Sequence, residues 1–179
     1  MKKNKKSFKK VLNKNKYNII LFLVFAFIAL LMIGKISSFI ANRDIAKYDE
    51  EILVVKNNDS EIASLSLKDL RKIDSSKIDI KQSNDLEINA EGISLEKLLN
   101  KVNIDPIKNM LVEFIDGKGN KSTMALEQAL EVNRVFIVYR LFGKANMEYD
   151  DSLGVMFVVD SQNNDSSKWI KDVKIINVK

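Results

Sequence analysis

The hydrophobic and polar positions divide the chain into a continuous apolar block near the N-terminus and a longer region of short, alternating elements. The block Ile19–Ile33 contains no polar residue. A helix that is apolar all round leaves no face for water, so this block predicts a membrane-spanning helix rather than a buried core helix. Tyr17 and Lys35 can lie at the two membrane interfaces, which extends the predicted span to residues 17–36.

The region from residue 51 to residue 179 has the pattern of one folded domain. It is long enough to bury a core, and short apolar runs alternate in it with short amphipathic segments. Ser66 and Ser94 precede two of these segments and predict helix N-caps. We therefore expect an α+β fold, a mixed α/β ectodomain with about five to seven strands in a sheet. Strands are predicted at 52–55, 78–81, 110–115, 121–124, 135–139, 155–159 and 173–176, and helices near 66–70, 94–99 and 126–130.

Positive charge is concentrated in residues 1–16, which contain eight lysines and no acid. The rest of the chain carries 21 basic and 24 acidic side chains, so its folded part is mildly acidic and a nucleic-acid partner is not expected. Cytoplasmic segments beside a membrane span carry an excess of lysine and arginine. The pattern predicts a basic cytoplasmic tail, a transmembrane signal anchor, a polar stalk and an extracytoplasmic domain, over 1–16, 17–36, 37–50 and 51–179.

The apolar block has two interpretations, a cleaved signal peptide or a retained signal anchor. Signal peptides end at small residues in an A-x-A-like pattern. The nearest candidates, Ile36–Ser38 and Phe39–Ala41, lack small residues at both required places. We therefore predict a single-pass protein of the cell membrane, with its N-terminus in the cytoplasm and its C-terminal domain outside.

The composition removes several kinds of chemistry. The chain contains neither cysteine nor histidine. It therefore has no disulfide, no thiolate nucleophile, and no imidazole to serve as a general base or metal ligand. No catalytic, cofactor-binding or metal-binding residue is predicted, and an enzyme is the less favoured interpretation.

Four segments of the domain carry a family resemblance: Ser66–Leu70, Gly92–Leu99, Val112–Gly117, and Gly154–Val159 followed by Lys168–Ile175. The second segment reads Gly-Ile-Ser-Leu-Glu-Lys-Leu-Leu, and the third ends a strand on Asp-Gly. In this order and spacing they resemble the oxidoreductase molybdopterin-binding domain, the sulfite-oxidase-like fold, in its short bacterial form. The resemblance implies that fold for about residues 65–179.

The same resemblance implies a molybdenum-binding cysteine between the second strand and the Gly92–Leu99 segment. In this chain the interval Ile80–Glu91 has no thiol and is short. The basic and histidine side chains that would hold the pterin phosphate are not recognisable either. Because the metal needs a soft ligand to fix it, the resemblance implies the scaffold without its cofactor.

The resemblance also implies where a ligand cleft would lie, beside the segment 80–91 and the loop Leu141–Glu148. The residues predicted for this cleft are Gln82, Ser83, Asn84, Tyr139 and Arg140. Trp169 has two interpretations, a stacking surface for recognition or an anchor that holds the last strand to the core. The anchor is favoured.

Two loops look like ligand-binding motifs but lack residues that those motifs need. Gly117–Thr123 has Asn120 where a phosphate-binding loop has its last glycine, so a hairpin turn is predicted. Asp160–Asp165 lacks the glycine and the bidentate glutamate of a calcium loop, and a solvated loop is predicted. Asp150 and Asp151 are consecutive, so their side chains diverge and are predicted to be surface charge.

These observations favour a membrane-anchored, extracytoplasmic module that binds or interacts without catalysing a reaction. The expected partners are the lipid bilayer and either another envelope protein or a small ligand, and no cofactor is expected. A second interpretation is a bitopic cell-envelope scaffold subunit linked to the divisome or to secretion. A molybdopterin-dependent oxidoreductase is the third, and the missing thiol counts against it.

The predicted topology can be tested with a reporter that is active only outside the cytoplasm. Fused after Lys179, the reporter should be active, and the mature protein should retain its N-terminal residues through Gly34. Replacing the eight tail lysines by glutamine should weaken or scramble the orientation, because cytoplasmic positive charge sets it. A soluble form that begins near Ser38 or Ala41 would contradict the retained anchor.

Overall fold

The structure is a computed structural model, and it contains two compact units, Met1–Asn42 and Arg43–Lys179. The residues that it describes are position 18 and residues 20–32, 42–81, 87–105, 110–163 and 165–179. All structural statements below concern these residues.

In the first unit, residues 20–32 form a helix, α1, whose large apolar side chains are exposed. Among the described residues, no helix has both the length and the apolar character that a membrane crossing requires. The predicted span over 17–36 lies partly outside the described residues, at 17, 19 and 33–36.

The second unit alternates short strands with short helices, so the predicted α+β class is confirmed. Its described part contains ten strands, β1 to β10: Ile52–Asn57, Ser60–Ser66, Ser76–Lys81, Glu87–Ser94, Leu111–Asp116, Lys121–Ala125, Val135–Leu141, Lys144–Ala145, Phe157–Asp160 and Val173–Val178. The α-helices α2 to α5 are Leu67–Leu70, Leu95–Lys101, Leu126–Ala129 and Asn146–Tyr149. Three 3₁₀ helices also lie in the described part, at Ile45–Tyr48, Asp151–Leu153 and Ser166–Lys168.

The described strands form two five-stranded sheets, where the sequence predicts a single sheet of five to seven strands. The first sheet has the order β2-β1-β10-β5-β6; its β1–β10 pair is parallel and its other pairs are antiparallel. In the second sheet β3 pairs with β4 and β4 with β7, and both β8 and β9 pair with β7. The last two strands, β9 and β10, therefore belong to different sheets.

The two serine caps that the sequence predicts are present. The Ser66 hydroxyl accepts a hydrogen bond from the backbone N–H of Asp69 at 3.2 Å, and the Ser94 hydroxyl accepts one from Lys97 at 3.3 Å. Ser66 also donates to the Asp69 carboxylate at 2.7 Å. The caps satisfy N–H groups that a helix start leaves without partners, so α2 and α3 begin where the sequence predicts.

Two hydrophobic clusters hold the second unit together. The larger one joins the two sheets and includes side chains of α2, α3 and α4, among them Leu53, Leu98, Val112 and Ile137. The smaller one covers the other face of the second sheet, with Phe136, Val138, Phe157 and Val159, and Trp169 packs against it. Because β7 contributes to both clusters, all seven of its residues are buried.

Strand β2 is absent from the sequence-based prediction. It is an edge strand whose side chains are largely exposed, so it lacks the apolar alternation by which a strand is recognised. The turn before it places Asn58 and Asp59 at φ values of 49° and 65°, the left-handed backbone that a two-residue hairpin needs. Asparagine and aspartate tolerate that backbone better than most residues.

The sequence predicts a turn at Gly92, whereas the structure continues β4 through Gly92 to Ser94. A Cβ atom at position 92 would lie 2.4 Å from the carbonyl oxygen of Ile137 on the neighbouring strand β7. Glycine is therefore needed for the close approach of two backbones and not for a turn.

The segment predicted as a polar stalk over 37–50 belongs in part to the folded domain. Its residues from Arg43 onward lie in the second unit, and Ile45 is fully buried in the cluster that joins the sheets. Residues 37–41 lie outside the described residues. A single 3₁₀ turn with one buried apolar residue is too short to show a periodicity, which explains the difference.

Leu98 is fully buried in α3, as the sequence predicts, and its truncation should destabilise the domain. We expect Leu98→Ala to lower the free energy of unfolding by about 2–5 kcal/mol, because it leaves a cavity in the cluster that joins the sheets. Asn100→Ala, at an exposed position of the same helix, should change it by less than about 0.5 kcal/mol. Urea unfolding of both variants measures the difference, and equal stabilities would contradict the central place of Leu98.

Candidate functional site

The structure describes two of the five residues predicted for a ligand cleft. Gln82, Ser83 and Asn84 lie outside the described residues. Tyr139 and Arg140 lie at the C-terminal end of β7, with only 1% and 7% of their surfaces exposed. Side chains this deeply buried present almost no surface to a ligand. Their contacts with neighbouring groups therefore indicate what they do.

A bulge in β7 gives Tyr139 and Arg140 their positions. Glu91 of β4 lies opposite Arg140, but the next residue of β4, Gly92, lies opposite Val138. Tyr139 is therefore an extra residue on β7. A bulge of this kind re-aims the side chains beside it, and such irregularities are frequent near functional sites.

The Arg140 guanidinium pairs with a carboxylate from the beginning of the second unit. It donates a hydrogen bond to Oδ1 of Asp44 at 2.8 Å, and its other terminal nitrogen lies 3.7 Å from Oε2 of Glu91. The second oxygen of Asp44 accepts the backbone N–H of Ala145 on β8 at 2.6 Å. Asp44 thus connects the start of the domain to the β7–β8 hairpin.

Asp44 is ionised in this arrangement. Partial burial alone would raise the pKa of Asp44, but the hydrogen bonds from Ala145 and Arg140, with the charge of Arg140, outweigh burial and lower it. Burial is the largest influence on Tyr139 and raises its pKa to about 12, although a hydrogen bond with Ser75 and the charge of Arg71 act in the opposite direction. The Tyr139 phenol donates a hydrogen bond to Glu91 at 3.4 Å. Tyr139 therefore stays protonated and is no general base at neutral pH.

Two cavities that are open to solvent lie around the turn Asp151–Gly154. The larger has a volume of about 470 Å³ and is lined by Asp116, Lys118, Asn120, Asp151, Lys171 and Asp172, among others. The smaller, of about 210 Å³, is lined by Tyr149, Asp150, Ser166, Trp169 and again Lys171. We call the two together the Lys171 cleft. The sequence gives no sign of it, because its walls come from separate turns of the chain.

The carboxylates of the larger cavity are held by the protein itself. Asp116 accepts hydrogen bonds from the Asn120 side chain and from the backbone N–H groups of Lys118 and Asn120. The Asn120 side chain is the main cause that lowers the pKa of Asp116. The turn Gly117–Asn120 is thus a hairpin turn organised by Asp116, which agrees with the prediction.

Asp172 is fixed by close backbone packing. Its φ is 48°, and a Cβ at Gly154 would lie only 2.6 Å from its Cα. Lys174 binds Asp172 at 3.0 Å and also binds Glu51. Burial alone would lower the pKa of Lys174, but these two carboxylates outweigh it and raise the pKa. These contacts hold part of the cleft wall in place, and the wall carries mixed charge, which suits a polar ligand.

Trp169 stacks on Phe157 with ring centroids 4.9 Å apart and planes inclined by 23°. This contact attaches the chain before β10 to the smaller hydrophobic cluster, in agreement with the favoured anchor interpretation. The indole N–H of Trp169 is buried without a hydrogen-bond partner among the described residues.

The loop after β9 is held by structural contacts. Asp160, at the end of β9, pairs with Arg134 at 3.2 Å, and Asp165 caps the following 3₁₀ helix.

No family model matches the chain, and no curated protein matches it. Among solved structures, the sulfane dehydrogenase SoxCD from Paracoccus pantotrophus is similar, with a TM-score of 0.55 and 13% sequence identity. The similarity covers 73% of this chain, which spans 38% of the length of that chain. At this identity it shows the fold alone, and it supports a distant likeness to the molybdopterin-oxidoreductase fold.

The residues present do not fit the molybdopterin cofactor that this fold implies. The whole chain lacks the thiolate that would bind molybdenum and lacks histidine. Three of its four arginines, the side chains best suited to a phosphate, are already paired with carboxylates: Arg71 with Asp49, Arg134 with Asp160 and Arg140 with Asp44. No reaction step through that cofactor follows from these residues.

Ionised Asp44 should stabilise the second unit near neutral pH. Its pKa in the folded protein is below the usual 3.8, so its contribution is fully present above 3.8 and is lost as the pH falls through the lowered value. We expect Asp44→Asn to cost about 1–2 kcal/mol at neutral pH, since a charged hydrogen bond is lost at a partly solvated site.

Urea unfolding over a pH series measures this effect. The stability difference between the wild type and Asp44→Asn should shrink below about pH 4. Glu148→Gln, which breaks the exposed pair with Lys47, is the matched control and should change stability little. A difference that stays constant down to about pH 2 would contradict the role given to the Asp44 carboxylate.

Proposed function

We propose that this protein is a membrane-anchored, extracytoplasmic module that binds a ligand or partner without catalysis, on a molybdopterin-oxidoreductase-like scaffold that has no cofactor. The observation that carries the proposal is the combination of this fold with a chain that contains no thiol and no imidazole. The fold provides the framework, and the donor set for the metal is missing.

Two features of the N-terminal region support the membrane anchor. Eight lysines precede an uninterrupted apolar block, Ile19–Ile33, in the order typical of a signal anchor with a cytoplasmic tail. In the structure the apolar side chains of α1, such as Phe22 and Leu30, are exposed. Large apolar side chains exposed in a row along one helix need a covering, and lipid provides one.

The Lys171 cleft supports binding rather than catalysis. It is a concave surface of mixed charge, and two of its acidic residues are engaged in structural contacts: Asp116 in hydrogen bonds and Asp172 in an ion pair. The pKa of Asp116 is lowered, chiefly by the Asn120 side chain, whereas a catalytic carboxyl would need a pKa raised toward neutrality. A polar small ligand or a segment of another envelope protein is the class of partner that such a surface suits.

The absence of the cofactor can be tested on the full chain purified in detergent from a host that makes molybdopterin. We expect molybdenum far below stoichiometric amounts and no rise of the unfolding midpoint when cofactor is added. A ligand of the folded state present at a hundred times its Kd would add about 2.7 kcal/mol and raise the midpoint by about 5–10 °C. A sulfite-oxidase-type enzyme treated in parallel is the positive control.

Stoichiometric molybdenum would overturn the non-catalytic proposal outright. A rise of the midpoint without bound metal would show that the scaffold still binds the pterin, and would make that pterin the ligand of the module.

A further inference from the structure

The turn between β7 and β8 holds an aromatic residue in an unusual backbone conformation. Phe142 and Gly143 are its two central residues, with φ values of 49° and 75°. Such a turn favours asparagine followed by glycine, because most side chains are strained at positive φ. Phe142 occupies this strained position although 45% of the residue is exposed, so burial of its ring does little to offset the strain.

A second exposed aromatic residue lies beside it. Tyr149, at the end of α5, is 47% exposed, and its ring centroid lies 5.5 Å from that of Phe142 with the planes inclined by 40°. We call this pair the aromatic patch. A strained turn that presents an exposed ring next to another exposed ring points to a function outside the domain core, because local strain collects at such sites.

The aromatic patch adjoins the place where the chain enters the domain. Asp44 binds the same β7–β8 hairpin, through Arg140 and the backbone N–H of Ala145. Lys47 binds Glu148, the residue before Tyr149, at 2.7 Å. Asp44 is eight positions after residue 36, where the predicted span ends, and eight residue steps reach at most about 29 Å when fully extended. The length of the chain therefore limits how far Asp44 can lie from a membrane that the span crosses, whatever the arrangement of the two units.

The charges around the patch identify the kind of surface that it suits. Lys47 and Glu148 neutralise each other, Lys144 is exposed, and Asp150 carries a negative charge. The surroundings are thus not basic, and attraction to anionic headgroups is not their function. Aromatic rings with a polar rim favour the lipid–water interface itself, which takes tyrosine and phenylalanine without a charge requirement.

We infer that the aromatic patch of Phe142 and Tyr149 inserts into the lipid–water interface and sets the orientation of the domain on the membrane. This inference rests on the membrane anchor of the proposed function. The domain would then contact the membrane in two ways: through the chain that links it to the anchor, and through the side chains of the aromatic patch at the outer surface.

The absence of cysteine makes a direct test possible, because a single introduced cysteine can be labelled without background. The full chain is reconstituted in phosphatidylcholine vesicles with bromine on the acyl chains, and an environment-sensitive fluorophore is attached to Lys144→Cys. Val132→Cys is the matched control: it is 82% exposed and precedes β7, a strand that spans about 20 Å and ends near the patch. We expect bromine to quench the label at 144 about twofold more than the label at 132.

The double variant Phe142→Asn with Tyr149→Ser should remove the extra quenching at 144. Asparagine suits the left-handed turn, so the unfolding midpoint of Phe142→Asn should not fall, which separates loss of lipid contact from loss of folding. Added phosphatidylglycerol should leave the quenching unchanged, since the rings and not charges make the contact.

Vesicle flotation distinguishes failure of the membrane anchor from failure of the lipid contact at the aromatic patch. If the chain floats with the vesicles but labels at 144 and 132 are quenched equally, the patch does not contact lipid and the anchor stands. If the label at 144 shifts to the blue without quenching by bromine, protein covers the patch, and the lipid inference is wrong. If the chain does not float, the anchor and the inference fail together.

Discussion

Strand β7 is buried at all seven of its positions, with a hydrophobic cluster against each face and a neighbouring strand along each edge. Most residues of β7 are apolar and are buried without an energetic penalty. Arg140 is charged, and burying a guanidinium is costly unless a carboxylate pairs with it. The requirement to satisfy one charge at the end of the most buried strand explains much of the surrounding structure.

The pairing of Arg140 recruits parts of the chain that are distant in sequence. Asp44 provides the main partner, and its second oxygen holds β8 through Ala145. The bulge at Tyr139 brings Glu91 near the same guanidinium. Together with buried Ile45, these contacts make the first residues of the second unit part of the folded domain. The point where the chain enters the domain is thereby fixed beside the β7–β8 hairpin.

The fold is similar to that of the sulfane dehydrogenase SoxCD, but this chain lacks the residues that would bind a molybdopterin cofactor. Arginines that could meet a phosphate bind carboxylates, and the chain contains no thiol for a metal. Among the described residues, the surfaces open to solvent include the Lys171 cleft, with its mixed charge, and the aromatic patch near the chain entry. These open surfaces support the binding role proposed above, since a sheet framework can hold varied loops in place.

The sequence by itself determined the local features: the α+β class, the caps at Ser66 and Ser94, the turn at Gly117–Asn120, and the burial of Leu98. These depend on residues a few positions apart, and composition alone excluded thiolate and imidazole chemistry. Only the tertiary structure decided the division into two sheets, the edge strand β2, the inclusion of residues from Arg43 onward, and the cleft. Each of these depends on contacts between distant segments, such as Asp44 with Arg140, and periodicity carries no information about which distant charges or strands will meet.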